Sequence, residues 1–192
     1  MSDLQFHLAS ASPRRQELLQ QLGLHFDVRS ADIVEQPLPS ETAADYARRM
    51  ALEKALATQA RIGSSLPVLG ADTDVVLDGH ILGKPRDRAD ALAMLAALSN
   101  REHEVYSAVA MVQGTHTEVM LSVTHVSFGV ITPEAAALYW ESGEPVGKAG
   151  AYAIQGLGAQ FVKGINGSYS GVVGLPLFET TELLLRFGIH TL

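Results

Sequence analysis

Apolar positions along this chain switch between two rhythms, short continuous or alternating runs and spacings of three and four, and each rhythm predicts a different element. Leu18, Leu19 and Leu22 form one face of a helix that Ser12 can cap, Pro13 can open and Gly23 can end. A second helix is expected to begin after Ser40 and run to about Arg61, with Ala43, Ala47, Met50 and Ala51 on one face. Asp87 is placed to cap a helix carrying Leu92, Leu95 and Leu98, and Asp90 completes its box-like start. Two longer strands, roughly His103 to Val112 and Thr117 to Ile131, precede a short helix opened by Thr132-Pro133 and ended by Gly143. Asn166-Gly167 reads as a hairpin turn, and Gly174-Leu175-Pro176 leads into a last helix. Strands and helices alternate without a low-complexity linker or an internal repeat, which predicts an α/β fold with a mixed sheet.

The sharpest local prediction lies between Leu66 and Pro85. Asp78-Gly79 separates two apolar runs and is a strong two-residue hairpin signal. In that register Leu77 faces His80, Val75 faces Leu82 and Thr73 faces Lys84, so Lys84 is expected beside Asp72 and Thr73. Gly70 and Gly83 flank the pair and would let a ligand approach the backbone, although an exposed ion pair at a strand edge explains the same residues. Lys54 shares the face of Ala51 and Met50 on the second helix. A lysine on a packing face either finds a partner or lays its stem on the core and sends its ammonium to water.

Composition narrows the chemistry. With 192 residues and 47% hydrophobic content, the chain is long enough for one well-cored domain, and residues 1–192 are expected to form a single unit. The start, Met1-Ser2-Asp3-Leu4-Gln5, lacks the pattern of a signal peptide, and no apolar run reaches membrane-spanning length, so a cytoplasmic protein without membrane association is expected. There is no cysteine, which leaves carboxylates, hydroxyls, bases and bound metal to carry any catalysis. A formal charge of −7 argues against a nucleic-acid partner. Several of the 14 basic residues nonetheless fall near turns, among them Arg14, Arg15, Lys84, Arg86 and Arg88, a distribution that suits a positive cleft for a small anion.

Arg14 and Arg15 stand in the first turn of the first predicted helix, where the helix dipole disfavours cations by roughly 0.3 to 1 kcal/mol each. An anion bound at that helix start would offset this, and two solvated surface arginines are the plain alternative. A second glycine-rich stretch, Lys148-Ala149-Gly150-Ala151-Tyr152-Ala153-Ile154-Gln155-Gly156-Leu157-Gly158, holds one polar side chain, Gln155. Its amide pairs a donor with an acceptor, as the N3–H and O4 edge of uracil or thymine requires, and a glutamine that caps its own loop is the alternative. His103, His116 and His125 lack the spacing of metal ligands, and the sequon at Asn166-Gly167-Ser168 has no secretory context.

Taken together, Ser10-Ala11-Ser12-Pro13-Arg14-Arg15, Glu53-Lys54-Ala55, Gly70-Ala71-Asp72-Thr73, Leu82-Gly83-Lys84-Pro85, the Gly150 to Gly158 stretch, Asn166-Gly167-Ser168-Tyr169 and Val173-Gly174-Leu175-Pro176 resemble the Maf family of nucleoside triphosphate pyrophosphatases. The resemblance runs from Leu8 to about Phe187, and Ala151 to Gly156 is similar to the branch acting on dTTP and UTP. It implies an inosine-triphosphatase-like fold: an elongated, twisted, mixed sheet flanked by helices, with two lobes around a cleft. It also implies roles. Asp72 would be the proton acceptor; Arg14, Thr73 and Gln155 would set substrate selectivity; Ser10, Arg15, Lys54 and Lys84 would face the phosphates. Glu35 and Asp72 would hold a divalent cation, Mg²⁺ or alternatively Mn²⁺, and the protein would be a homodimer. Three positions depart from the family's pattern: Val34 stands where a second acid is common, Asp74 where an aliphatic residue is usual, and Gly147 where many members carry aspartate. Asp74 shares a strand face with Asp72, so burial of both would raise one of their pKa values. Two rival functions remain, a nucleotide-binding regulator of septum formation and a pyrophosphatase that clears unwanted purine nucleotides.

Overall fold

The computed structural model describes residues 4–30 and 32–191; Met1 to Asp3, part of the start read above for a leader, lie outside the described residues. In chain order the elements are β1 (Phe6–Leu8), α1 (Pro13–Gln21), β2 (Phe26–Val28), α2 (Ala43–Ile62), β3 (Val68–Leu77), β4 (His80–Leu82) and α3 (Arg88–Leu98). They continue as β5 (Glu102–Gln113), β6 (His116–Phe128), α4 (Pro133–Glu141), β7 (Val162–Asn166), α5 (Tyr169–Val173) and α6 (Leu177–Arg186), with two short 3₁₀ turns between α4 and β7. One sheet runs β2-β1-β3-β5-β6-β7, with β4 also paired to β3. The β1 pairings are parallel and the others antiparallel, the mixed sheet that the pattern predicts.

The two faces of the sheet are covered differently. On one, Phe6, Leu8, Leu69, Ala71, Val75 and Val109 pack with residues of α1, α3, α4 and α6 in the main core. Fully burying side chains such as Phe6, Leu19, Leu69 and Leu184 contributes roughly 1.5–3 kcal/mol each. On the other face α2 lies on β3 and β5 through small residues, Ala47 and Ala51 against Ala108 and Ala110, and Ala55 against Val68 and Val112. Gly70 makes this approach possible, because a Cβ there would fall 2.2 Å from the Ala51 carbonyl oxygen.

β3 creates the functional geography. Its one edge pairs with β5 from Val68 to Val76. Its other edge pairs with β1 only at Val68 and Leu69 and with β4 only from Val75 to Leu77. Parallel β1 and antiparallel β4 therefore point their C-terminal ends at the same unpaired stretch, Gly70 to Asp74. The segments that follow them, Ser10 to Arg15 and Gly83-Lys84, converge there.

Several local expectations change. The Asp78-Gly79 turn forms with both residues at positive φ, 51° and 77°, and the register Leu77↔His80 and Val75↔Leu82 holds. The ladder stops there: Thr73 pairs with Ser107 of β5, and Lys84 is carried off the edge instead of facing Thr73. Ser12 occupies the N-cap position of α1, but its side chain makes no capping hydrogen bond. α2 starts at a cap on Thr42, whose side chain accepts from the Asp45 N–H, two residues beyond Ser40. Asn166-Gly167 is not a hairpin turn, because Ser168 immediately caps α5 by accepting from the Gly171 N–H. β6 ends at Phe128 rather than Ile131.

Candidate active site

At the gap in the β3 edge lies a cleft of about 1110 Å³. Side chains alternate along β3, so Asp72 and Asp74 point to the α2 face and Thr73 to the other. Lys54, two turns along the buried stripe of α2 from Ala47, meets Asp72 directly: Nζ donates to Asp72 Oδ1 at 2.6 Å. The same ammonium lies 2.8 Å from Glu35 Oε1. Lys54 is 9% exposed and Asp72 7%, so the predicted lysine on a packing face is a partnered lysine.

Glu35 comes from the long connection between β2 and α2, which carries little apolar content of its own. Arg49 ties that connection to α2, donating from Nε to Glu41 Oε1 at 2.6 Å and from Nη2 to the Gln36 carbonyl at 2.9 Å. Burial pushes the Glu35 carboxyl up, but the Lys54 hydrogen bond and charge, with Lys84 and Arg15, outweigh it and hold the group below its ordinary value. Lys84 lies 3.7 Å from Glu35 Oε2, with its side chain 65% exposed. Its ion-pair partner is thus Glu35 and not the Asp72-Thr73 pair, a consequence of the ladder ending at Leu82.

Arg15 and Arg14 divide their work. The Arg15 guanidinium donates to Gly174 O at 2.8 Å, to Ser10 Oγ at 3.0 Å and to Thr73 Oγ1 at 3.3 Å. Thr73 Oγ1 also donates to the Gly174 carbonyl at 3.2 Å and lies 3.0 Å from Ser107 Oγ. One cation therefore knits the end of β1, the middle of β3 and the turn after α5 into a single wall. Arg14 makes no hydrogen bond among the described residues and lines the cleft beside Lys148. Burial lowers the Lys148 pKa, and the Arg14 charge lowers it further. Glu17 and Glu144 lie near these two cations, but neither forms an ion pair with them among the described residues, so both charges are left to meet an anion in the cleft.

Asp74 is the departure with the clearest physical effect. It is 8% exposed, and its Oδ2 is buried without a hydrogen-bond partner among the described residues. Burial, then the charge of Asp72, raises its pKa far above the ordinary carboxylate value. A folded-state carboxyl that holds its proton longer than the unfolded chain costs stability as pH rises from about 4 toward its folded value. Asp74→Asn keeps the shape of the protonated acid and should stabilise the metal-free protein by on the order of 1 to 3 kcal/mol at pH 8, with little change near pH 4. Urea unfolding in a chelator at the two pH values measures this, and an equal effect at both would refute it.

Glu35 and Asp72 offer hard oxygen donors around one small space, which suits Mg²⁺ or Mn²⁺. Among the described residues no group of three or more His, Cys, Asp or Glu side chains is placed to hold a metal. An ion there would therefore take its remaining oxygens from a bound phosphate and water, the way Mg²⁺ is commonly held.

The far wall of the cleft carries Gln155. Its side chain is exposed and makes no hydrogen bond among the described residues, so it does not cap its own loop. Gly147, at a positive φ of 71°, borders the same wall, while Val34 is 73% exposed beside Glu35. Residues that the pattern did not single out complete the surroundings: the Gly174 carbonyl, Ser107, Lys148 and Glu144. Gly174 and Lys148 stood within stretches with a readable signal, though no role was assigned to either; Ser107 and Glu144 stood in none.

A family model described as Maf-like protein matches residues 5–187. The chain belongs to the Maf family. It is 49% identical over 198 residues to the dTTP/UTP pyrophosphatase of Pasteurella multocida (strain Pm70), covering 99% of each chain. It is 54% identical over 181 residues to the dTTP/UTP pyrophosphatase of Escherichia coli O157:H7, covering 94% of this chain and 92% of that one. Among solved structures, a HAM1 protein from Coxiella burnetii is similar with a TM-score of 0.50 at 20% identity, over 66% of this chain and 73% of that one, a likeness of fold alone. Among the described residues of this Maf-family chain no helix is long and apolar enough to cross a membrane.

Proposed function

We propose that this protein hydrolyses dTTP and UTP to the nucleoside monophosphate and pyrophosphate. The observation that carries the reading is the buried Lys54 bridge between Asp72 and Glu35, set where a sheet edge opens into a cleft bordered by Arg14, Lys84 and Gln155. The names of the near-full-length relatives support the same substrates.

In this reading Asp72 takes the proton of a water that attacks the α-phosphorus, and the bond to the bridging oxygen breaks to release pyrophosphate. Lys54 holds one Asp72 oxygen, so the carboxylate presents the other to the water in a fixed direction. Arg14 and Lys84 meet the charge that grows on the leaving pyrophosphate. Arg15, committed to Ser10, Thr73 and Gly174, shapes the phosphate wall and has guanidinium N–H groups left for a phosphate oxygen. Glu35 and Asp72 would hold a divalent cation that, when bound, neutralises phosphate oxygens. The proposal includes a cytoplasmic homodimer with no nucleic-acid or membrane partner.

The test is pyrophosphate release from a panel of canonical triphosphates, with and without Mg²⁺. dTTP and UTP should be preferred, and activity should need the metal. Gln155→Glu, which exchanges a donor for an acceptor, should reduce kcat/KM for UTP and dTTP by roughly ten- to a hundredfold and spare the poorer substrates. A preference for purine triphosphates, or tight nucleotide binding without turnover, would overturn the reading.

A further inference from the structure

The loop that carries Gln155 is held from behind by a carboxylate that takes no part in the chemistry above. Glu144 Oε2 accepts from the Leu157 N–H at 2.8 Å, and Oε1 accepts from the Gly158 N–H at 2.9 Å and the Tyr139 hydroxyl at 2.6 Å. The Tyr139 oxygen in turn accepts from the Ala153 N–H at 3.1 Å. The backbone is thus pinned two residues before Gln155 and two residues after it by one connected network. Two glycines make room for the pins. A Cβ at Gly156 would fall 2.1 Å from Glu144 Oε2, and one at Gly158 would fall 2.7 Å from the Tyr139 hydroxyl.

The network has the charge logic of a built anchor. Burial pushes the Glu144 carboxyl up, but the Tyr139 hydroxyl and the two backbone N–H groups outweigh it, so the group stays below its ordinary value and remains an acceptor at neutral pH. Ionised, it has no proton to donate and can accept from all three neighbours at once. A carboxamide of the same size cannot, since its nitrogen would face an N–H or O–H donor. Gln155 itself makes no hydrogen bond among the described residues and is open to the cleft.

We propose that Glu144 is the positioning residue for base selection: it fixes the path of residues 153–158 so that the Gln155 amide presents its donor and acceptor in one orientation. The inference rests on the reading of Gln155 as the base reader. A recognition contact discriminates only if its two atoms are held in a set geometry, and an exposed loop without anchors would let the amide rotate and drift.

Glu144→Gln and Gly156→Ala attack the same contact from opposite sides. Each should raise KM for UTP and dTTP by on the order of tenfold, leave kcat within about twofold, and lower the UTP-to-CTP ratio of kcat/KM by the same order. The double variant should be no worse than the poorer single one, because both remove one interaction. In the wild-type protein the Leu157 and Gly158 amides should exchange slowly with solvent, although Leu157 lies exposed. Open-loop exchange rates at these amides would overturn the anchor whatever the variants do. Equal losses on all triphosphates with an unchanged ratio would reduce Glu144 to a structural residue and overturn the proposal. Gln155→Ala separates the two levels. If it leaves the ratio unchanged, base reading by Gln155 fails and this inference with it; if it erases the ratio while Glu144→Gln and Gly156→Ala keep it, positioning by Glu144 alone fails.

Discussion

Asp72→Asn should lower pyrophosphate release by about 10² to 10⁴ while leaving nucleotide binding within a few fold, because it removes a base and keeps a shape. The environment makes the substitution clean. Asp72 is almost fully buried, and Lys54, the cation bonded to it, keeps its second carboxylate at Glu35 when the first is gone. The fold should therefore survive, since no ammonium is left stranded. A neutral residue at 72 also takes away the charge that, after burial, most raises the Asp74 pKa, so Asp74 should ionise more readily in the variant. Steady-state turnover and nucleotide affinity measured on the same preparation decide the matter. Turnover within twofold of the wild type would remove Asp72 from the chemistry; a parallel collapse of binding would make it a binding residue.

The parts of this site that local pattern revealed are those whose geometry is set by a single element or turn. The spacing of Ala47, Met50 and Ala51 places Lys54 on the buried face of α2 without knowledge of the sheet, and its burial there follows from the small residues around it. The Asp78-Gly79 turn fixes the β3–β4 register, and the two-residue period of a strand places Asp72 and Asp74 on one face. Both are short-range facts. What pattern could not give is the consequence of two strands sharing one edge of β3. Because β1 occupies its start and β4 its end, the ladder stops at Val75 and Lys84 swings to Glu35. Arg15 likewise draws its meaning from a carbonyl 159 positions away, at Gly174, and Glu144 from N–H groups across the cleft wall at Leu157 and Gly158. Carbonyls and N–H groups carry no residue signature, so such partners become visible only when the chain is folded. Asn166-Gly167 misled for a related reason: the turn chemistry is sound, but Ser168 offers a helix cap one residue later, and the cap wins.

Lys54→Met should be the most destabilising change in the site, by about 3 to 5 kcal/mol at neutral pH, although methionine fills nearly the same volume. The ammonium is the only cation in direct contact with Asp72 among the described residues, and it also pairs Glu35. Without it Asp72, Glu35 and the neighbouring Asp74 form a cluster of carboxyl groups in a largely buried corner. Each would then hold its proton to a higher pH in the folded state than in the unfolded chain. The folded variant binds more protons across that window, so its stability should fall as pH rises from about 4 through neutrality and should recover on acidification. Wild-type protein, with the charge in place, should show a shallower slope over the same range, in which the cost of Asp74 is set against the opposite contribution of His103, whose pKa burial pushes down to about 4. Urea unfolding in a chelator from pH 5 to pH 8 reads both slopes, and a loss of stability that is equal at every pH would mean that packing rather than charge holds this corner together. Combining Lys54→Met with Asp72→Asn gives the sharper measurement. Removing one carboxylate from the unbalanced cluster should return part of the lost stability, a coupling that two independent sites would not produce, so strictly additive losses would refute the charge account of the Lys54 bridge.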